Sequence, residues 1–230
     1  LLTQIIHYTK VPDRLYKLLP QVINAGLLDI SIVADLDKEH PWINDWHREN
    51  YEGGEGRSAA KLWGERLAIA KYDFSEFRPL RLAELSLIYK HKLAWENLAY
   101  SCNAYSLILE DDAIIQPALT EFLSNPAIFS DSSWDIVYLG GEFPNRFPRA
   151  ELYDGKVILQ NAPSSNCTDG YIMRTDAAQR LLTHIERSGY QWVLPLDFEL
   201  SFLAETLGLN VGHVPTPCIL QDKSLPSTVQ

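Results

Sequence analysis

Leu107-Ile108-Leu109 runs directly into Glu110-Asp111-Asp112, so three carboxylates sit where an apolar, strand-like stretch ends. In open α/β sheets ligands bind outside such strand ends. Successive side chains on an extended backbone point to opposite faces, which predicts Glu110 and Asp112 on one side and Asp111 on the other. Two hard oxygen ligands on one side make half a site for Mg²⁺ or Mn²⁺, with diphosphate oxygens able to complete the octahedron. An isolated acidic triplet is more often a solvated turn, and the triplet alone does not choose. A second set is Glu84, Ile88, His91 and Trp95, spaced at i, i+4, i+7 and i+11 along one helical stripe. A Glu and a His in an apolar stripe must find partners or face a cleft, because burying them unsatisfied is costly. A satisfied core histidine is the plainer reading of His91.

Short β-like apolar runs alternate with longer helical ones, the pattern of an α/β domain. Strands are expected at Thr3 to Tyr8, Ile30 to Ala34, Tyr105 to Leu109 and Trp134 to Leu139, with weaker ones at Val157 to Leu159 and Tyr171 to Met173. Helices are expected from Pro12 to a Gly26 cap, and over Ser58 to Ala70, Pro79 to Tyr100, Thr175 to Ser188 and Asp197 to Leu207. Asp35 to Arg57 reads as loop with at most a short helix, and the segment after Gly208 as irregular chain packed across the surface. Gly54-Glu55-Gly56-Arg57-Ser58-Ala59 superficially matches a dinucleotide fingerprint. No strand precedes it, and Glu52 and Glu55 would repel a pyrophosphate, so a loop beside an acceptor site is the better expectation.

The 230 residues are 46% hydrophobic and 11% aromatic, which excludes a disordered chain and fits one domain over residues 1–230. Thirty acidic against 20 basic side chains leave a formal charge of −10, with no basic stripe for nucleic acid. No apolar run reaches the roughly 18–20 residues of a membrane span. Three dispersed cysteines suggest reduced thiols and a cytoplasmic protein, at most peripheral to a membrane that carries its acceptor. The start at Leu1 rather than Met leaves room for an upstream segment.

The run from Glu84 through Ser86, Lys90 and His91 to Trp95, followed by Glu110-Asp111-Asp112, resembles glycosyltransferase family 25, which contains lipopolysaccharide-type and procollagen galactosyltransferases. Asp13-Arg14, Trp134 to Gly140, Thr168-Asp169-Gly170-Tyr171-Ile172-Met173, Leu196-Asp197-Phe198-Glu199 and the closing Pro217 to Val229, with Gln221 and Ser227, extend the likeness. Lys90 stands where the family usually has Ser, and the first strand lacks the family's Ile-Asn-Leu ending.

The resemblance implies a GT-A type α/β fold, a Rossmann-like nucleotide-binding sheet with helices on both faces. It implies a UDP-sugar donor carrying galactose or glucose, Mn²⁺ or Mg²⁺, an inverting reaction, and a glycan, lipid-linked or protein-linked acceptor. Asp112 is then the first metal ligand and Glu110 the second, while Asp111 orients the ribose or sugar. Arg14, Lys90 and His91 bind donor phosphate or hydroxyls, and Glu84 holds His91 or a sugar hydroxyl. Asp197 and Glu199 are the candidate bases, only one of which can serve. Asp197 is favoured, although its position also suits an ordinary helix cap. A catalytically inactive binding or adhesion module on the same fold is the alternative. A sugar nucleotidyltransferase would need a glycine- and lysine-rich phosphate loop that the sequence lacks.

Overall fold

The computed structural model describes residues 1–52, 56–70, 77–125, 134–140, 168–214 and 216–225. The expected strand at Val157 to Leu159 and the Gly53–Glu55 part of the glycine cluster lie outside them, as does Ser227.

Strand β1 (Leu2–Ile6) opens the chain. Helix α1 (Pro12–Asn24) starts at a proline whose missing N–H costs nothing at a helix start, and ends before Gly26 at φ +79°. Its buried residues Arg14, Leu18 and Val22 recur every fourth position, so a charged side chain leads an apolar stripe toward the sheet. Then follow β2 (Ile30–Val33), α2 (Pro41–His47), a π-helical turn (Arg48–Glu52) and α3 (Gly56–Ala70). Helix α4 (Leu82–Ala99) begins three residues after Pro79, because Glu84 closes a capping box on the Arg81 backbone. Beyond it come β3 (Tyr105–Glu110), β4 (Ala113–Ile115), α5 (Pro117–Ser124), β5 (Ile136–Tyr138), β6 (Gly170–Arg174), α6 (Thr175–Ser188), α7 (Leu196–Leu207), β7 (Val211–His213) and β8 (Ile219–Gln221).

Six strands form one mixed sheet in the order β2-β1-β3-β6-β5-β7. The pairs β1/β2, β1/β3 and β5/β7 are parallel, and β6 runs antiparallel to both β3 and β5. Alternate residues of each strand feed two cores. Ile6, Ile108, Tyr138 and Tyr171 pack under α4, α6 and α7, whereas Ile5, Leu107, Leu109 and Val137 pack under α1 and α5. The expected α/β sheet with helices on both faces is therefore found, with its central reversal at β6. No helix among the described residues is long and apolar enough to cross a membrane.

The segment after Gly208 is not irregular throughout. Strand β7 forms an edge of the main sheet, and β8 pairs with β4 in a separate antiparallel ribbon. That ribbon lies close against the main sheet. A Cβ on Gly170 would stand 2.8 Å from Ile219 Cγ1 and 3.1 Å from Leu109 Cδ2, and one on Gly140 2.9 Å from the Ile219 carbonyl. Glycine at these two places lets β8 approach, and β8 carries Gln221 to the end of β3.

Candidate active site

Because β1 and β3 are parallel neighbours with Ile6 opposite Glu110, the residues leaving both strands meet at one end of the sheet. His7 and Tyr8 leave β1 there, and Asp111 and Asp112 turn away from β3. A pocket at this edge is lined by His7, Tyr8, Arg14, Lys38, Ser86, Lys90, Glu110, Asp111, Asp112 and Gln221. Five of the residues singled out from the sequence thus come together: Arg14, Lys90, Glu110, Asp111 and Asp112.

The three carboxylates differ sharply. Asp111 Oδ2 pairs with His7 Nδ1 at 2.8 Å and accepts the Tyr8 N–H at 2.9 Å, while its Oδ1 accepts from the Arg14 guanidinium at 3.0 Å. Both oxygens are engaged, so Asp111 ties β1 and α1 to the end of β3. Asp112 is only loosely held. Its Oδ2 lies 3.3 Å from Gln221 Nε2 and 3.5 Å from Arg14, and its Oδ1 is buried without a hydrogen-bond partner among the described residues. Burial, then the nearby Glu110 charge, push the Asp112 carboxyl up to about 7, against the pull of Arg14. Burial likewise raises Glu110, opposed by a 2.6 Å hydrogen bond from Thr168 Oγ1 to its Oε1. The expected pairing of Glu110 with Asp112 on one face, and Asp111 on the other, needs correcting. Strand β3 stops at Glu110, and the turn that follows sends Asp111 and Asp112 together toward Arg14 while Glu110 faces Thr168.

Among the described residues no group of three or more His, Cys, Asp or Glu side chains has metal-holding geometry. Glu110 and Asp112 nevertheless fit a divalent cation. Both are desolvated, the Glu110 charge bears on Asp112, and Asp112 offers a buried oxygen without a hydrogen-bond partner among the described residues, so the pair is short of positive charge despite Arg14. Asp111, already saturated, does not fit that role.

Lys90, 3% exposed, donates from Nζ to Asp37 and to the His7 carbonyl. Burial pushes Asp37 up, but Lys90 and Thr9 outweigh it and hold the carboxyl below its ordinary range. This contact grips the loop after β2, where Leu36 adopts φ +62°, a conformation that costs a side-chain-bearing residue roughly 1–2 kcal/mol. Ser86 Oγ donates to the Leu36 carbonyl at 2.6 Å, so two residues of α4 hold the strained turn beside the pocket.

Glu84, His91 and Glu199 do not line the pocket. Glu84 does not hold His91. Its carboxylate accepts two hydrogen bonds from Arg78, at 2.6 and 2.5 Å, and one from the Arg81 N–H at 2.8 Å, as the first turn of α4 requires. His91 is fully buried behind Glu110, with Nδ1 at 2.8 Å from the Tyr171 hydroxyl. It cannot touch a donor from there, so the plainer reading of a core histidine describes its burial correctly.

Glu199 is likewise inaccessible. Its Oε1 accepts from Arg66 Nη1 at 2.8 Å and from the N–H groups of Val193 and Leu194 at 2.7 and 2.9 Å; its Oε2 accepts from the Tyr190 hydroxyl at 2.5 Å. The Arg66 guanidinium also lies 4.0 Å from the centre of the Tyr190 ring. A carboxylate so enclosed has no route to an acceptor hydroxyl, which removes Glu199 as a base and makes it the anchor of the run into α7.

Asp197 is different. It stands in the first turn of α7, where the backbone N–H groups of Asp197 and Phe198 favour its charged form. Pro195, not Asp197, is the cap residue. Burial pushes Asp197 up to about 7 against that backbone pull, and the charges of Glu110 and Glu84 add to the rise. Asp197 is therefore outside the pocket lining but within electrostatic reach of Glu110.

Several site residues escaped the sequence reading. His7, Tyr8 and Lys38 become visible only once β1 is known to lie parallel to β3. Arg66 and Tyr190 are drawn in by Glu199, from 133 and 9 residues away.

A family model described as "Glycosyltransferase family 25 (LPS biosynthesis protein)" matches residues 57–199. No curated protein matches over the sequence. Among solved structures, the galactosyltransferase LgtC in complex with donor and acceptor sugar analogs aligns at 11% identity and TM-score 0.43, over 93% of this chain and 73% of that one. An active-site mutant of LgtC gives the same identity and TM-score. The glycosyltransferase GlyE of Streptococcus pneumoniae TIGR4 aligns at 8% identity and TM-score 0.41, over 95% of this chain and 53% of that one. The assignment rests on the sequence match, which spans the α3–α4 region, the acidic end of β3 and the start of α7; this chain belongs to glycosyltransferase family 25.

Proposed function

We propose that the chain uses its sheet in the GT-A manner, as a metal-dependent, inverting hexosyltransferase. It moves galactose or glucose from a UDP-sugar to a hydroxyl of a glycan, lipid-linked or protein-linked acceptor. The observation that carries this reading is the carboxylate pair Glu110 and Asp112, short of positive charge, in one pocket with Arg14 and Lys90.

As the glycosidic bond breaks, negative charge develops on the diphosphate, and stabilising that charge is the main catalytic demand. Asp112 and Glu110 would hold a divalent ion, whose chemistry there would be Lewis-acid stabilisation of that charge. Arg14 and Lys90 add fixed positive charge, each already oriented by its own carboxylate. Asp111 keeps Arg14 in place rather than touching the sugar. Asp197 takes the proton from the acceptor hydroxyl as its oxygen attacks the anomeric carbon, and a carboxyl raised to about 7 has the affinity such a base needs near neutral pH.

A screen of UDP-sugars against glycan acceptors, reading UDP release with and without Mn²⁺, tests the proposal. Metal-dependent turnover with UDP-galactose or UDP-glucose is expected. Binding of UDP without turnover of any UDP-sugar, under any metal condition, would instead favour the inactive binding module.

A further inference from the structure

Behind Glu110 three buried side chains from α4 and β6 form a row. Trp95 Nε1–H donates to the Tyr171 hydroxyl oxygen at 2.9 Å, and that oxygen lies 2.8 Å from His91 Nδ1. The His91 and Tyr171 rings stack with centres 5.7 Å apart and planes at 15°. His91 Nε2, buried and without a hydrogen-bond partner among the described residues, stands 3.7 Å from Glu110 Oε1.

Counting protons along the row fixes the tautomer of His91. The Tyr171 oxygen already accepts from Trp95, and its single proton needs an acceptor. With the imidazole proton on Nδ1, that hydroxyl proton would be buried without a partner, and the bare Nε2 lone pair would face a carboxylate. With the proton on Nε2, the hydroxyl donates to Nδ1 and the Nε2–H is aimed at a negative oxygen. Only the second arrangement gives the hydroxyl proton an acceptor, and it turns an N–H rather than a lone pair toward the carboxylate 3.7 Å away. A cationic imidazole would also carry a proton on Nδ1 and would again leave the hydroxyl proton without an acceptor, so the same count excludes it.

We propose that His91 is a positioning residue for Glu110: Tyr171 locks it as the Nε2–H tautomer, and its N–H faces Oε1 at 3.7 Å, beyond a hydrogen bond but attractive to the carboxylate that the Thr168 hydroxyl holds. The contacts with Thr168 and His91 both fall on Oε1, which leaves Oε2 as the atom for the cation. Neutral donors that orient a metal-binding carboxylate commonly change metal affinity 10–100-fold when removed. The role rests on the reading of Glu110 as a cation-holding residue, whereas the tautomer does not.

Long-range ¹H–¹⁵N correlation spectra of the ¹⁵N-labelled wild-type protein, with the His91 signals identified by their loss in His91→Gln, test the tautomer. A protonated Nε2 and an unprotonated Nδ1 are expected; a proton on Nδ1 overturns the proposal. Mn²⁺ binding in the presence of UDP, read by electron paramagnetic resonance of the free ion, tests the role. His91→Phe keeps a ring but loses the donor, and should weaken Mn²⁺ binding by about tenfold or more. His91→Gln offers an amide N–H near the position of Nε2 and should restore most of the loss. Wild-type affinity in His91→Phe overturns the positioning role. Absence of Mn²⁺ binding by the wild-type protein overturns that role together with the cation reading, and the spectra still decide the tautomer independently.

Discussion

Replacing Glu199 by alanine is expected to destabilise the fold by about 3–5 kcal/mol, a large share of the roughly 5–15 kcal/mol that holds a domain folded. The substitution leaves the Arg66 guanidinium buried without its carboxylate and frees the N–H groups of Val193 and Leu194 in a place water does not reach. Urea denaturation followed by circular dichroism measures the loss directly. Replacing the pair together, Arg66→Met with Glu199→Leu, should recover much of it, because apolar groups of similar volume often serve as well as a buried ion pair. A loss below about 1 kcal/mol for the single variant would mean that Glu199 is not the anchor its contacts indicate.

Asp197→Asn should behave in the opposite way. Removal of the base is expected to lower kcat/KM by about 10²–10⁴-fold while the domain stays folded. Its folded carboxyl titrates near 7, above the ordinary carboxylate value, so between those two values the folded state holds a proton that the unfolded chain has released. Folding stability from this group is therefore full in acid and falls as pH rises toward 7. The Asn variant escapes that loss. At pH 8 it should exceed wild type by on the order of 1–2 kcal/mol, after allowing for solvent at a side chain that is not fully buried, and it should match wild type near pH 4. Wild-type activity should correspondingly decline as pH drops through about 7. Thermal melts at both pH values, beside initial rates, check the pair of effects. Unchanged rates in Asp197→Asn would move the base elsewhere.

The long elements were legible because their patterns are long. Thirteen residues of α1 repeat a buried position every fourth residue behind Pro12, and α6 runs over the same span that its periodicity predicts. Strands β4, β7 and β8 have three residues each, too few for an alternation to register, and the prolines around β7 and β8 disguise them as loop. The acidic triplet was legible as a site because an apolar strand leads into it. The direction of each carboxylate was not, since alternation applies only while the backbone stays extended and β3 ends at Glu110. Asp197 and Glu199 show the same limit. They are two residues apart on one helix, and burial against Arg66 separates an anchor from a candidate base. Arg66 has no local signal, because its partner is 133 residues away.

Asp112 is buried rather than on the surface, and its raised carboxyl means that its charge is held at a cost, so Asp112→Asn should fold at least as well as wild type. That makes it a clean probe of the cation-assisted donor site. Calorimetric titration of UDP into wild-type protein and Asp112→Asn, with Mn²⁺ and with a chelator, tests this site most directly. Mn²⁺ should strengthen UDP binding to the wild type by about 5–150-fold, the usual range for coupled ligands, and the gain should disappear in Asp112→Asn. Equal UDP affinity for both proteins, with and without Mn²⁺, would rule out a cation held by Asp112 at the donor site.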